Sequence, residues 1–89
     1  MRAGEEPRPP VRVLLFGQAR ELAGTGEHLL ALEGTATVAR AAELLGRAYP
    51  AVAPLLERCS FAVDRTYARR EELLRPGDEL AVIPPIGGG

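Results

Sequence analysis

The stretch Val11 to Phe16 reads VRVLLF, a β-branched and apolar run that suits a central strand covered on both faces. Period-2 geometry puts Val11, Val13 and Leu15 on one side and Leu14 and Phe16 on the other. Its counterpart is ELAVI, Glu79 to Ile83, launched by the turn Pro76-Gly77-Asp78, in which Pro fixes φ and Gly accepts a positive φ. Between them the clearest helix spans Val38 to Tyr49. Its Val38, Ala41, Ala42, Leu45 and Tyr49 share one face, Arg40, Glu43 and Arg47 the other, Thr37 stands at the N-cap, and Pro50 opposes continuation.

The remaining segments fill in around these three. Gln18 to Ala23 has helical propensity and ends in the turn Gly24-Thr25-Gly26; Glu27 to Leu32 follows as a strand hairpin-paired to the first. Ala51 to Arg58 is turn-rich, Ser60 to Val63 is a strand, Asp64 to Thr66 turns out of it, and the residues through Leu74 add an edge strand. Strand, strand, long helix, strand, edge strand and strand in 89 residues cannot make two βαβ layers. They fit one mixed sheet wrapped over one main helix, an α+β fold of β-grasp type, with the first and last strands side by side and parallel at its centre. The expected organisation is an unstructured leader over 1–10, a β-grasp domain over 11–83, and an extended tail over 84–89.

Composition narrows the function. The 11 basic and 12 acidic residues nearly cancel, so no positive field exists to hold a phosphate backbone, and nucleic acid is not expected as a partner. All 11 basic residues are Arg, so the chain offers no lysine amine to its own C-terminus. No apolar run approaches the roughly 18 residues of a membrane span, and MRAGEEPRPP lacks the apolar stretch of a signal peptide. With one cysteine no internal disulfide can form, and a cytoplasmic location without membrane contact is expected. His28 reads as an ordinary strand residue and Cys59 as a buried small one, and no spacing suits a metal.

The chain's anomaly is its end, Pro84-Pro85-Ile86-Gly87-Gly88-Gly89. Two prolines stop the last strand and favour a stiff polyproline stalk. The three glycines beyond it lose maximal backbone entropy on ordering, bury nothing, and extended reach about 10 Å. Taken alone the tail fits a frayed end or a cloning remnant as well as a function. If functional, it can thread a narrow channel in a partner and present the unhindered Gly89 carbonyl to a nucleophile.

The run LLRPGDELAVIPPIGGG, Leu73 to Gly89, closely resembles the C-terminal signature of the small subunit of molybdopterin synthase, and VRVLLFGQARELAG, Val11 to Gly24, is similar to that family's first strand and short helix. The resemblance implies a ubiquitin-like sulfur carrier with no permanently bound cofactor. Its terminal glycine, here Gly89, would be adenylylated with Mg-ATP by a ubiquitin-activating-like adenylyltransferase and converted to a thiocarboxylate. The sulfur would pass, in an active site of the synthase large subunit, to cyclic pyranopterin monophosphate and build the molybdopterin dithiolene. Pro84, Pro85, Ile86, Gly87 and Gly88 would thread into the partner. Gly87 stands where the family usually has Ser or Thr.

The family docks through a hydrophobic sheet surface next to the tail, which leads us to expect a partner interface at Phe16, Phe61 and Ile83. The chain would be the sulfur-donating subunit of a sulfurtransferase and inactive alone. Two alternatives share the fold: a sulfur carrier for thiamine thiazole or another sulfur-containing product, which the Pro84-Pro85 stalk fits less well, and a ubiquitin-like protein modifier. A passive interaction domain is a further reading.

Overall fold

In the computed structural model, which describes residues 8–86, strand β1 (Val11–Leu15) runs parallel to β7 (Glu79–Ile83), with Val13 opposite Leu80 and Leu15 opposite Val82. The expected parallel pairing at the sheet centre is therefore present. Around it lie β2 (Glu27–Leu30), antiparallel to β1, and β4 (Ser60–Val63), antiparallel to β7, with β5 (Thr66–Ala68) at the far edge. The sheet order is β2-β1-β7-β4-β5. Of the expected leader, residues 1–7 lie outside the described residues; Arg8 to Pro10 are exposed, and the Arg8 guanidinium donates to the Glu33 carbonyl.

One face of the sheet is covered by helix α2 (Val38–Ala48). Its buried Val38, Ala41, Ala42 and Leu45 meet Val11, Val13, Leu15, Leu80, Val82 and Phe61 in the core. The start of α2 is fully provided for: Val38 N–H donates to the Glu72 carbonyl, Ala39 N–H to that of Arg70, and Arg40 N–H to Thr37 Oγ1. These bonds satisfy donors that a helix terminus leaves open, and they tie α2 to the segment before the last strand. At the other end Tyr49 hydrogen-bonds His28 Nδ1 at 2.9 Å and packs edge-on against its ring, joining α2 to β2.

Several features differ from expectation; β2 ends at Leu30 rather than Leu32, and α2 at Ala48, with Tyr49 as its C-cap. The short helix α1 (Gly17–Ala23) begins at Gly17 rather than Gln18, because Gly17 adopts a positive φ and lets the chain turn directly off β1. The turn-rich piece contains a one-turn helix, α3 (Ala53–Leu56), which buries Leu55 and Leu56. Instead of one edge strand, the residues to Leu74 form both β5 and a two-residue strand β6 (Leu73–Leu74), the latter paired with β3 (Ala36–Thr37) in a separate ladder. That ladder closes the end of the core over Leu74, which is fully buried.

Candidate functional site

Because β1 and β7 are parallel, their C-terminal ends emerge together. Leu15 pairs with Val82, so Phe16 and Ile83 follow side by side and Gly17 meets Pro84. The approach is close: a Cβ on Gly17 would lie 3.1 Å from Pro84 Cγ. The Phe16 carbonyl accepts from both Ala19 and Arg20 N–H groups, which fixes α1 beside the point where the tail leaves. Pro84 is half-buried there and Ile86 is 99% exposed. Gly87, Gly88 and Gly89 lie outside the described residues.

The face of the sheet turned away from α2 has no covering element among the described residues. The pleat places Arg12, Leu14, Phe16, Glu79, Ala81, Ile83, Ala62 and Tyr67 on it, and these residues line one shallow depression together with Arg65. Phe16 is 48% exposed and Tyr67 73%. Leu29, opposite Arg12 in the register, extends the apolar surface toward the β2 edge. The end nearest the tail is apolar, while at the far end Arg12 bonds Glu27 and lies 3.9 Å from Glu79. An apolar patch with a charged border is the ordinary composition of a protein-docking surface.

Two of the three residues expected on this face are there, Phe16 and Ile83, and Phe61 is not. Phe61 pairs with Val82, whose side chain faces α2, so the same parity buries Phe61 to 2% exposure. The Arg70 guanidinium stacks over its ring at 4.9 Å and donates to the Leu56 carbonyl at 2.6 Å, holding α3, β4 and the approach to β6 together. The residues that β4 offers to the open face are Ser60 and Ala62, and Tyr67 beside Ala62 on β5 supplies the aromatic group. Tyr67 and Leu29 are the residues that sequence reading missed; the signal was an apolar side chain at the outward parity of each edge strand.

Cys59 takes no part in this surface. It is buried, its thiol donates to the Leu55 carbonyl at 3.3 Å, and burial pushes its pKa up, with Arg70 and Arg58 opposing the shift. A raised value in the folded state means that the neutral thiol stabilises the fold below the ordinary thiol range, and that this contribution is lost as pH rises through the raised value. Native protein should accordingly react with an aromatic disulfide reagent at neutral pH far more slowly than protein in denaturant, and equal rates would contradict the buried thiol. No cluster of metal-ligating side chains occurs among the described residues, and no helix there is long and apolar enough to cross a membrane.

What this arrangement offers is an uncovered, largely apolar surface with a chain exit beside it. The central strand β7 leads at Pro84 into a segment that leaves the domain at the apolar end of this face, where the exposed Ser60 stands opposite Ile83.

The ThiS family model matches residues 13–89. The molybdopterin synthase sulfur carrier subunit of Chlamydomonas reinhardtii is 38% identical over 82 residues, spanning 89% of this chain and 98% of its own. That of Homo sapiens is 30% identical over 86 residues, spanning 93% and 98%. Among solved structures, SAMP1 from Haloferax volcanii superposes with a TM-score of 0.79 at 29% identity over 89% of this chain and 98% of its own. A putative molybdopterin converting factor, subunit 1, from Pyrococcus furiosus gives 0.76 at 28% identity over 88% and 99%. With matches of this extent, the chain belongs to the ThiS family and is a relative of the molybdopterin synthase sulfur carrier subunits.

Proposed function

We propose that this chain is the sulfur carrier subunit of a molybdopterin synthase, with a thiocarboxylate on Gly89 as its working group. The observation that carries the reading is the relationship to molybdopterin synthase sulfur carrier subunits over nearly their whole length, within a family match that runs through Gly89. The geometry supports it: a stalk that begins at Pro84 leaves the sheet centre beside an uncovered apolar face.

In the proposed cycle an adenylyltransferase seats the open face and takes the tail. A Gly89 carboxylate oxygen attacks the α-phosphorus of Mg-ATP, pyrophosphate leaves, and the acyl-adenylate carries AMP as the leaving group that a carboxylate lacks. Hydrosulfide delivered by a sulfur source attacks the Gly89 carbonyl, the bond to AMP breaks, and loss of the sulfur-bound proton to solvent leaves the thiocarboxylate. The large subunit of the synthase then receives the tail, the thiocarboxylate sulfur bonds to a carbon of cyclic pyranopterin monophosphate, and water cleaves the acyl–sulfur bond to restore the Gly89 carboxylate. This chain's share is positional. Its narrow glycines enter the partner, its Pro84-Pro85 stalk sets their direction, and the partner supplies nucleotide binding and proton transfer. It has no activity alone and works in the cytoplasm with soluble partners.

The test is the intact mass of the chain after incubation with an activating enzyme, Mg-ATP and a sulfur source. A gain equal to one sulfur-for-oxygen exchange, dependent on ATP, is expected, and an unchanged mass under conditions that charge a known carrier defeats the reading. The likeness to SAMP1, and to a second H. volcanii structure described as small archaeal modifier protein 1, favours a second reading as a protein modifier. Tagged chain incubated in cell extract with ATP would then form amide conjugates on other proteins, whereas the sulfur-carrier reading expects none.

A further inference from the structure

The turn from β4 to β5 is made by Asp64 and Arg65, which hold φ values of 48° and 71° and are the positive-φ residues other than glycine among those described. Such a two-residue hairpin turn favours Asn or Asp followed by Gly. Asp64 has a local reason to be there: its N–H donates to the Glu79 carbonyl at 2.9 Å, and its Oδ1 accepts from Glu79 N–H at 2.9 Å, so it clamps the start of β7. Arg65 has none. It forms no hydrogen bond or ion pair with the described residues, and a glycine would fit its backbone with less strain.

What Arg65 does have is position. Its side chain lines the same open depression as Phe16, Tyr67 and Ile83. Of the two arginines lining that face, Arg12 is matched by Glu27 and Glu79. The Asp64 carboxylate is turned toward the backbone of β7. Arg65 is therefore the cation lining this face that pairs with no carboxylate among the described residues, and it sits on a tight two-residue turn.

We propose that Arg65 is a specificity-determining residue of the docking face, selecting a protein partner that presents an Asp or Glu carboxylate at the border of an apolar surface. The occupant is the large subunit of the synthase, so the assignment rests on the function proposed above. The apolar centre around Phe16 and Ile83 supplies most of the association. Arg65 supplies discrimination, since a partner with a cation opposite it meets repulsion and one with an apolar group leaves the guanidinium unpaired in a drying interface.

The experiment is a binding titration of the full chain with the molybdopterin synthase large subunit of the same organism, across a range of ionic strength. Arg65→Gly removes the charge and relieves the positive-φ strain, so it should fold at least as well as the native chain, with an unchanged or higher Tm. Its affinity should drop about fivefold at low salt, on the scale of a border ion pair, and its affinity should respond less to salt than that of the native chain. Arg65→Glu should weaken binding further and make added salt favourable. Phe16→Ala serves as the reference, losing affinity while keeping the native salt response. Native chain that binds, with Arg65→Gly binding equally tightly and with the same salt response, overturns the assignment and leaves the functional reading intact. Native chain that fails to bind at all overturns the functional reading and this assignment together.

Discussion

A chain ending at Gly87 will fold as the full-length chain does and will donate no sulfur. The last strand of the sheet ends at Ile83, and the two residues removed are glycines with no side chain to bury, so the truncation is expected to leave the core intact. Melting temperatures should therefore coincide. Sulfur transfer in a reconstituted assay with the activating enzyme and the large subunit should fall to background, because the acyl group is shortened by two residues and ends short of the place where chemistry occurs. Gly88→Val tests the same requirement without shortening the chain: a β-branched side chain restricts φ and widens a segment that has to thread a channel. Pterin sulfuration by the truncated chain at the native rate would end the sulfur-carrier reading.

The second large effect separates the two phenylalanines, which sequence reading put on one surface and the structure puts on opposite ones. Phe61→Ala should cost about 3–5 kcal/mol, since the ring is buried against the core and its loss leaves a cavity under the Arg70 guanidinium. Against the marginal stability of a domain this small, that loss unfolds a large fraction of the molecules at physiological temperature. Phe16→Ala should cost about 1 kcal/mol or less, because nearly half of that side chain is already in solvent, and its effect should appear as weakened association with the large subunit. Chemical denaturation of both variants beside a binding titration decides it. A Phe16→Ala chain as unstable as Phe61→Ala, binding normally when folded, would remove the docking role from Phe16.

The contrast shows which parts of the fold were readable. Helix α2 was legible because five apolar residues fall on one stripe and Thr37 and Pro50 mark its ends; its amphipathic period admits one orientation. The turn before β7 was legible because Pro76, Gly77 and Asp78 each have a reason to be there, and Asp78 N–H does donate to the Arg75 carbonyl. The orientation of Phe61 was misread although Ser60 shares the outward parity with Ala62 and leaves Phe61 and Val63 together on the other; in a four-residue strand that signal is weak, and the register against β7 decides which side faces α2. Helix α3 and the β3–β6 ladder are too short to generate a period, although Pro54 in the first turn of α3 was a usable sign of a helix start. At the candidate site, the tail stood out by composition. Arg65 did not, since a single arginine in a charged stretch gains meaning only from its φ and from the face it borders.

The parallel pairing of β1 with β7 also governs how the domain assembles. Val13 must wait for Leu80 before the sheet acquires its centre, and β4 must wait for the same strand. Until β7 arrives, the chain holds two separate hairpins, each of a kind that is marginal by itself in water. Such long-range closure slows folding relative to a helical domain of the same size and makes it cooperative. The strand that completes the fold is the one that continues into the stalk, so a nascent or damaged chain without a docked β7 has no assembled face to offer an activating enzyme. Under the proposed function, quality control and presentation of the terminus would be the same event, and an adenylyltransferase reading the sheet surface would spend no ATP on an unfinished carrier.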